Sequence, residues 1–158
     1  IYAKSDEKDY CLTLEKRASN SAELSANTCN SNNRSEILLD LEVTVPHSLL
    51  THVKDSSGSM VTESASVASI KDGSGSIKID DNRVSLEIDD GSGSMKIRDV
   101  AGDLTIEDGS GSINVKNVAG HVSIDDGSGS ITVKDAEQFT LIDDGSGSVN
   151  LTNVNKRS

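Results

Sequence analysis

Pairs of carboxylates recur along this chain at a fixed interval: Asp89-Asp90, Glu107-Asp108, Asp125-Asp126 and Asp143-Asp144, each pair 18 residues after the one before. Adjacent acids can hold a divalent cation, because Ca²⁺ takes several oxygen ligands from carboxylates and carbonyls. If successive pairs stack about 4.8 Å apart, like charges repel by about 1 kcal/mol per neighbouring pair even in water. A bound cation would offset that cost. The competing expectation is structural: an Asp at a turn accepts backbone N–H bonds, and its remaining charge is solvated.

The second acid of each pair opens the pentapeptide DGSGS, which begins at Asp72, Asp90, Asp108, Asp126 and Asp144. Two serine rows follow from it. One is Ser74, Ser92, Ser110, Ser128 and Ser146; the other is Ser76, Ser94, Ser112, Ser130 and Ser148. Regularly spaced hydroxyls can order water or meet an extended surface such as polysaccharide or ice, although small serines also suit a tightly stacked, solvated strand. Catalysis has little support. GSGS lacks the GxSxG elbow and the final glycine of GxGxxG, and a serine repeated five times is no unique nucleophile. His47, His52 and His121 show no metal or triad spacing. A glycosidase needs only two carboxylates, but a carbohydrate cleft usually offers aromatic platforms, and aromatics are 2% of this chain.

The elements that must position these groups follow from the same period. Halving 18 exposes nine-residue units such as DGSGSIKID, DNRVSLEID and DGSGSMKIR, in which the eighth position is always Ile, Val or Leu. The sixth is apolar in every unit but one, where it is Thr140. Strict alternation over such short spans predicts strands with one buried face. Two strands and two corners make an 18-residue coil, and stacked coils make parallel sheets. The expected fold is all-β: a single-stranded β-solenoid (β-helix). Continued alternation places positions two, four, six and eight inward. Gly73 and Gly75 then face bulky Ile or Leu across the core, and both acids of each pair point outward. At the other corner, Arg98, Lys116 and Lys134 sit beside Asp99, Asn117 and Asp135, which suggests ordinary surface pairs. The unit DAEQFTLID breaks the pattern, placing Phe139 and Leu141 outward unless a bulge intervenes.

Before Asp72 the register decays. DSSGSMVTE and the eight-residue SASVASIK read as a first, irregular coil. Residues 1–54 are expected to form an N-terminal β/loop cap and residues 55–158 the repeats. EILLDLEVTVP, with Ile37, Leu39, Leu41, Val43 and Val45 on one face, is expected to be the longest strand outside the repeats, and Pro46 ends it. CLTLE also alternates, whereas ASNSAELSANTCNSNN reads mostly as loop. Cys11 and Cys29 fit a disulfide in an oxidising compartment. Two buried thiols are the alternative.

The whole-chain numbers narrow the function classes. With 158 residues, 15 basic and 26 acidic side chains and a net charge of −11, the chain repels a phosphate backbone, so nucleic acid is not an expected partner. No apolar run approaches the about 20 residues of a membrane-spanning helix. IYAKSDEKDY is not a signal peptide, so export requires one already removed.

The strand ending VTVP, followed by GSGSIKI, VAGDLTI, GSGSINV and VAGHVSI, resembles the bacterial adhesin-like family of β-strand-repeat domains of unknown function, over about residues 39–154. The resemblance implies an exported or cell-surface β-solenoid with no established catalytic residues; no cofactor is expected, unless Ca²⁺ binds the acid pairs. The expected function is therefore a non-catalytic structural or adhesive module. The alternative is a repeat-based binder of Ca²⁺ or of an extended surface such as polysaccharide. Open strand edges near the C-terminal end also suggest end-to-end self-association.

Overall fold

The computed structural model of the chain describes residues 2–5, 10–18, 21–28 and 39–156. Among these residues there is no helix. The chain divides into two compact units, Ile1–Thr44 and Val45–Ser158.

In the first unit, β1 (Tyr2–Ser5) pairs antiparallel with β4 (Leu39–Glu42), and β2 (Tyr10–Ala18) pairs antiparallel with β3 (Ser21–Thr28). Ser21–Thr28, within the segment expected to be mostly loop, is thus strand. Its Ser and Ala residues carry no alternating apolar signal, yet the β2 ladder pairs their backbone groups, and that pairing decides the conformation. Among the described residues β4 spans four residues and ends at Glu42, before Pro46, whereas β2 spans nine, so the longest strand outside the repeats is β2. Ile37 and Cys29 lie outside the described residues. Among the described residues no cysteine is a free thiol.

The second unit is a β-solenoid. Its strands are β5 (Leu50–Lys54), β6 (Gly58–Asp72), β7 (Gly75–Asn82), β8 (Leu86–Asp90), β9 (Gly93–Val100), β10 (Leu104–Asp108), β11 (Gly111–Asp126), β12 (Gly129–Asp144) and β13 (Gly147–Lys156). All their pairings are parallel. Gly58, Gly75, Gly93, Gly111, Gly129 and Gly147 are in register, which marks six stacked coils. The first step is 17 residues and the rest 18, as SASVASIK foretold. β5 lies in the segment assigned to the cap, but it pairs with β6 and belongs to this stack.

Apolar ladders fill the interior, among them Ile77, Met95, Ile113 and Ile131, and Ile70, Ile88, Ile106 and Ile124. Each fully buried aliphatic side chain contributes about 1.5–3 kcal/mol. No single coil closes this core, so stability resides in the interfaces between coils.

The corners differ from expectation. Gly73 is exposed rather than facing the core. Gly75 has φ +136, and a Cβ there would lie 1.7 Å from the Gly58 carbonyl oxygen. Glycine is required because successive backbones touch at this corner, not because a large residue lies opposite. The other corner holds a non-glycine residue in the left-handed region once per coil: Ser64, Asp81, Asp99, Asn117, Asp135 and Asn153. Asp and Asn tolerate that conformation best.

DAEQFTLID is accommodated by two compensating slips. Val118 pairs with Ala136, but His121 pairs with Gln138, one residue short; the 18-residue offset returns at Asp125 and Asp143. Phe139 thereby aligns with Val122 and is buried, contrary to the simple register. Ile142, at the normally inward eighth position, is left exposed, while Leu141 is more than a third exposed as expected.

Candidate functional site

Adjacent residues on an extended strand point to opposite faces, and that separates the paired acids. Asp89, Glu107, Asp125 and Asp143 form an outer row in register across β8, β10, β11 and β12. Asp90, Asp108, Asp126 and Asp144 form a parallel inner row, begun by Asp72 on β6. Asp72, Asp90, Asp108 and Asp126 are buried, and Asp144 is half-buried. The expectation that both acids face solvent is corrected. The inner acid extends the buried alternation of the preceding strand, as in Leu86, Ile88 and Asp90, and the chain turns only afterwards.

Each inner carboxylate closes a turn. Oδ1 of Asp72, Asp90, Asp108 and Asp126 accepts the N–H of Ser74, Ser92, Ser110 and Ser128 at 3.1–3.3 Å. Those serines, expected to stand outward with Ser146, are half-buried, and only Ser146 is exposed. Their carbonyls accept from the glycine of the preceding coil, for example Gly75 N–H to Ser92 O at 2.9 Å. The exposed hydroxyl row is instead Ser94, Ser112, Ser130 and Ser148.

The second oxygen of each inner acid is orphaned. Oδ2 of Asp72, Asp90, Asp108 and Asp126, and Oδ1 of Asp144, are buried without a hydrogen-bond partner. Burial pushes the Asp108 carboxyl up to about 6; the N–H groups of Ser110 and Gly109 oppose the rise, and the neighbouring Asp90 and Asp126 add to it. Burial likewise raises Asp90 and Asp126, with Asp72 and Asp144 reinforcing it respectively. A proton fits against such an oxygen, whereas a hydrated cation needs room that an atom without accessible surface does not provide.

A shallow groove of about 220 Å³ is lined by Asp89, Asp90, Glu107, Asp108, Gly109 and Asp125. Among the described residues, no three His, Cys, Asp or Glu side chains converge closely enough to hold a metal ion. On the outer row, Asp89 pairs with Lys71, and that hydrogen bond raises the Lys71 pKa.

The histidines make contacts that spacing did not reveal. His52 Nδ1 lies 2.7 Å from Ser69 Oγ, and His121 Nε2 lies 2.8 Å from Thr140 Oγ1. Both join neighbouring coils, so sequence separations of 17 and 19 conceal them. His47 Nδ1 lies 2.7 Å from the Ser64 carbonyl. Asn82 is a further residue missed by pattern reading. It is buried at the register position held by Val100 and Val118, and it bonds to the backbone of Val67 and Val84.

No protein-family model, curated protein or solved structure matches the chain. Among the described residues no helix is long and apolar enough to cross a membrane.

Proposed function

We propose that this chain is a non-catalytic, exported β-solenoid that serves as a structural or adhesive module at a cell surface. The observation that carries this reading is repetition. Ser94, Ser112, Ser130 and Ser148 present hydroxyls from successive coils. Identical weak groups at one-coil spacing suit a partner that is itself repetitive, such as a polysaccharide, where avidity multiplies weak contacts. The resemblance to adhesin-like repeat domains supports the same reading.

Co-sedimentation with insoluble polysaccharides and with whole bacterial cells tests it. Saturable binding that falls in the variant Ser94→Asp/Ser112→Asp/Ser130→Asp supports the proposal. No binding to any of these surfaces, or hydrolysis of the polysaccharide, counts against it.

The acidic groove beside Glu107 favours a second reading, a repeat-based Ca²⁺ binder. A ligand that binds only the native state raises the melting temperature with concentration. A rise with Ca²⁺ that Mg²⁺ at matched ionic strength does not reproduce, and that EDTA reverses, supports it; equal melting in all three removes it.

A further inference from the structure

Two rows of charge run along opposite corners of the solenoid, and their signs are complementary. At the left-handed corner, Glu63, Asp80, Arg98, Lys116 and Lys134 are in register on successive coils. Their signs read minus, minus, plus, plus, plus. At the glycine-serine corner, Lys54, Lys71, Asp89, Glu107 and Asp125 are in register on successive coils. Their signs read plus, plus, minus, minus, minus.

We propose that the solenoid associates side by side with further copies of itself, the Glu63-to-Lys134 row of one copy lying along the Lys54-to-Asp125 row of the next. All five positions then meet an opposite charge. Both rows share the coil spacing of about 4.8 Å, so alignment at one position aligns the rest. Only one direction matches all five: with the axes antiparallel, Arg98, Lys116 and Lys134 still meet three acids, but Glu63 and Asp80 then meet no cation. A displacement of one coil from the fully matched register also creates at least one like pair.

The molecule already makes such contacts across neighbouring coils. Arg98 pairs with Asp80 and Lys71 with Asp89, in each case where the sign of the row changes. Glu107, Asp125, Lys116 and Lys134 lie farther along the rows and form no ion pair among the described residues. Each stands beside a like charge that an adjacent copy would neutralise.

The contact is heterologous, one corner against the other, so it leaves both outer corners free and builds open rows rather than closed dimers. A strip five coils long, about 20 Å, and about 10 Å wide falls well below the about 1,000 Å² of a stable interface. The net charge of −11 also repels copies at long range. Association is therefore weak, register-specific and governed by salt. It does not depend on which surface the module adheres to.

Sedimentation velocity over a concentration series tests the proposal, at about 0.01 M salt, where charges interact over about 30 Å, and at about 1 M, where the range is about 3 Å. The wild-type mass is expected to climb with concentration at low salt and return to that of one chain at high salt. Lys116→Glu/Lys134→Glu alone and Glu107→Lys/Asp125→Lys alone are each expected to lose association, because each turns two matched positions into like pairs. Mixed together, the two variants regain a full match in both directions, and association should return. Circular dichroism verifies that each variant retains its strands. A wild type that stays a single chain at low salt overturns the proposal. So does association that survives high salt or either reversal, which would assign it to open strand edges, or a mixture of folded variants that fails to associate.

Discussion

Asp108 stands in parallel register with Asp90 one coil earlier, and both carboxyls are buried with an Oδ2 that has no hydrogen-bond partner. Within a ladder of such groups, ionisation of one opposes ionisation of the next. The solenoid therefore carries acids that favour being protonated in the folded state.

This makes stability depend on pH in an unusual direction. The folded pKa of Asp108 is raised to about 6, and those of Asp90 and Asp126 are raised from an ordinary value of 3.8. The folded state thus holds more protons than the unfolded chain between those limits, and ∂ΔG/∂pH of unfolding is negative there. The stabilisation is fully present below the unfolded pKa and is lost as pH rises through the folded one. The melting temperature should fall from about pH 4 to about pH 7. A melting temperature that rises across this window in thermal scans would show these carboxyls to be ionised in the fold.

Replacing Asp108 by Asn keeps an acceptor for the Ser110 N–H and removes the charge. Asp108→Asn should therefore melt higher than wild type at neutral pH and show a shallower pH dependence. Asp108→Ala loses the Ser110 bond, at a cost of about 1 kcal/mol. Denaturant titrations of the three proteins at acid and neutral pH separate the loss of charge from the loss of the bond.

Asn82→Val moves the second coil toward the pattern of its neighbours, yet it should destabilise. Asn82 Oδ1 accepts from the Val67 N–H at 2.9 Å, and Nδ2 donates to the Val67 and Val84 carbonyls at 3.1 and 2.8 Å. Valine leaves the buried Val67 groups unpaired at about 1–3 kcal/mol each. A loss of about 2–5 kcal/mol in equilibrium unfolding is expected; a neutral result would mean that the short first coil closes without this side chain.

Gly93→Ala should be among the most damaging single-methyl changes. Gly93 has φ +146, and a Cβ would sit 1.6 Å from the Gly75 carbonyl oxygen. Neither the conformation nor the spacing can accommodate it without parting the two coils, so a loss of more than about 3 kcal/mol is expected. The neighbouring Ser94→Ala, on an exposed side chain, should stay within about 0.5 kcal/mol. Urea midpoints compare the two directly.

The solenoid was legible in the sequence because a repeat makes each local signal count many times. Outside the DAEQFTLID unit, alternation at positions six and eight marked the Ile, Val and Leu that fill the core, and the 18-residue interval set the coil. The shortened first coil was legible from its missing residue. The first unit was less so, since β3 has little apolar patterning and its strand character comes from pairing with β2. The candidate site was readable as a list of acids but not as an arrangement, because alternation alone does not say where a strand stops.

Composition and spacing by themselves determined a chain of stacked coils with an aliphatic interior and acids at regular intervals, since those properties depend only on periodicity. Only the tertiary structure decided which acid of each pair is buried. The turn begins after Asp90 rather than before it, and close backbone contact at Gly93 holds the turn there. Tertiary structure also brought Lys54 into register with Lys71 and Glu63 into register with Asp80, each 17 residues apart rather than the 18 of the repeat. Charge complementarity between two corners is a property of that register, and register is set by packing between coils rather than by any one of them.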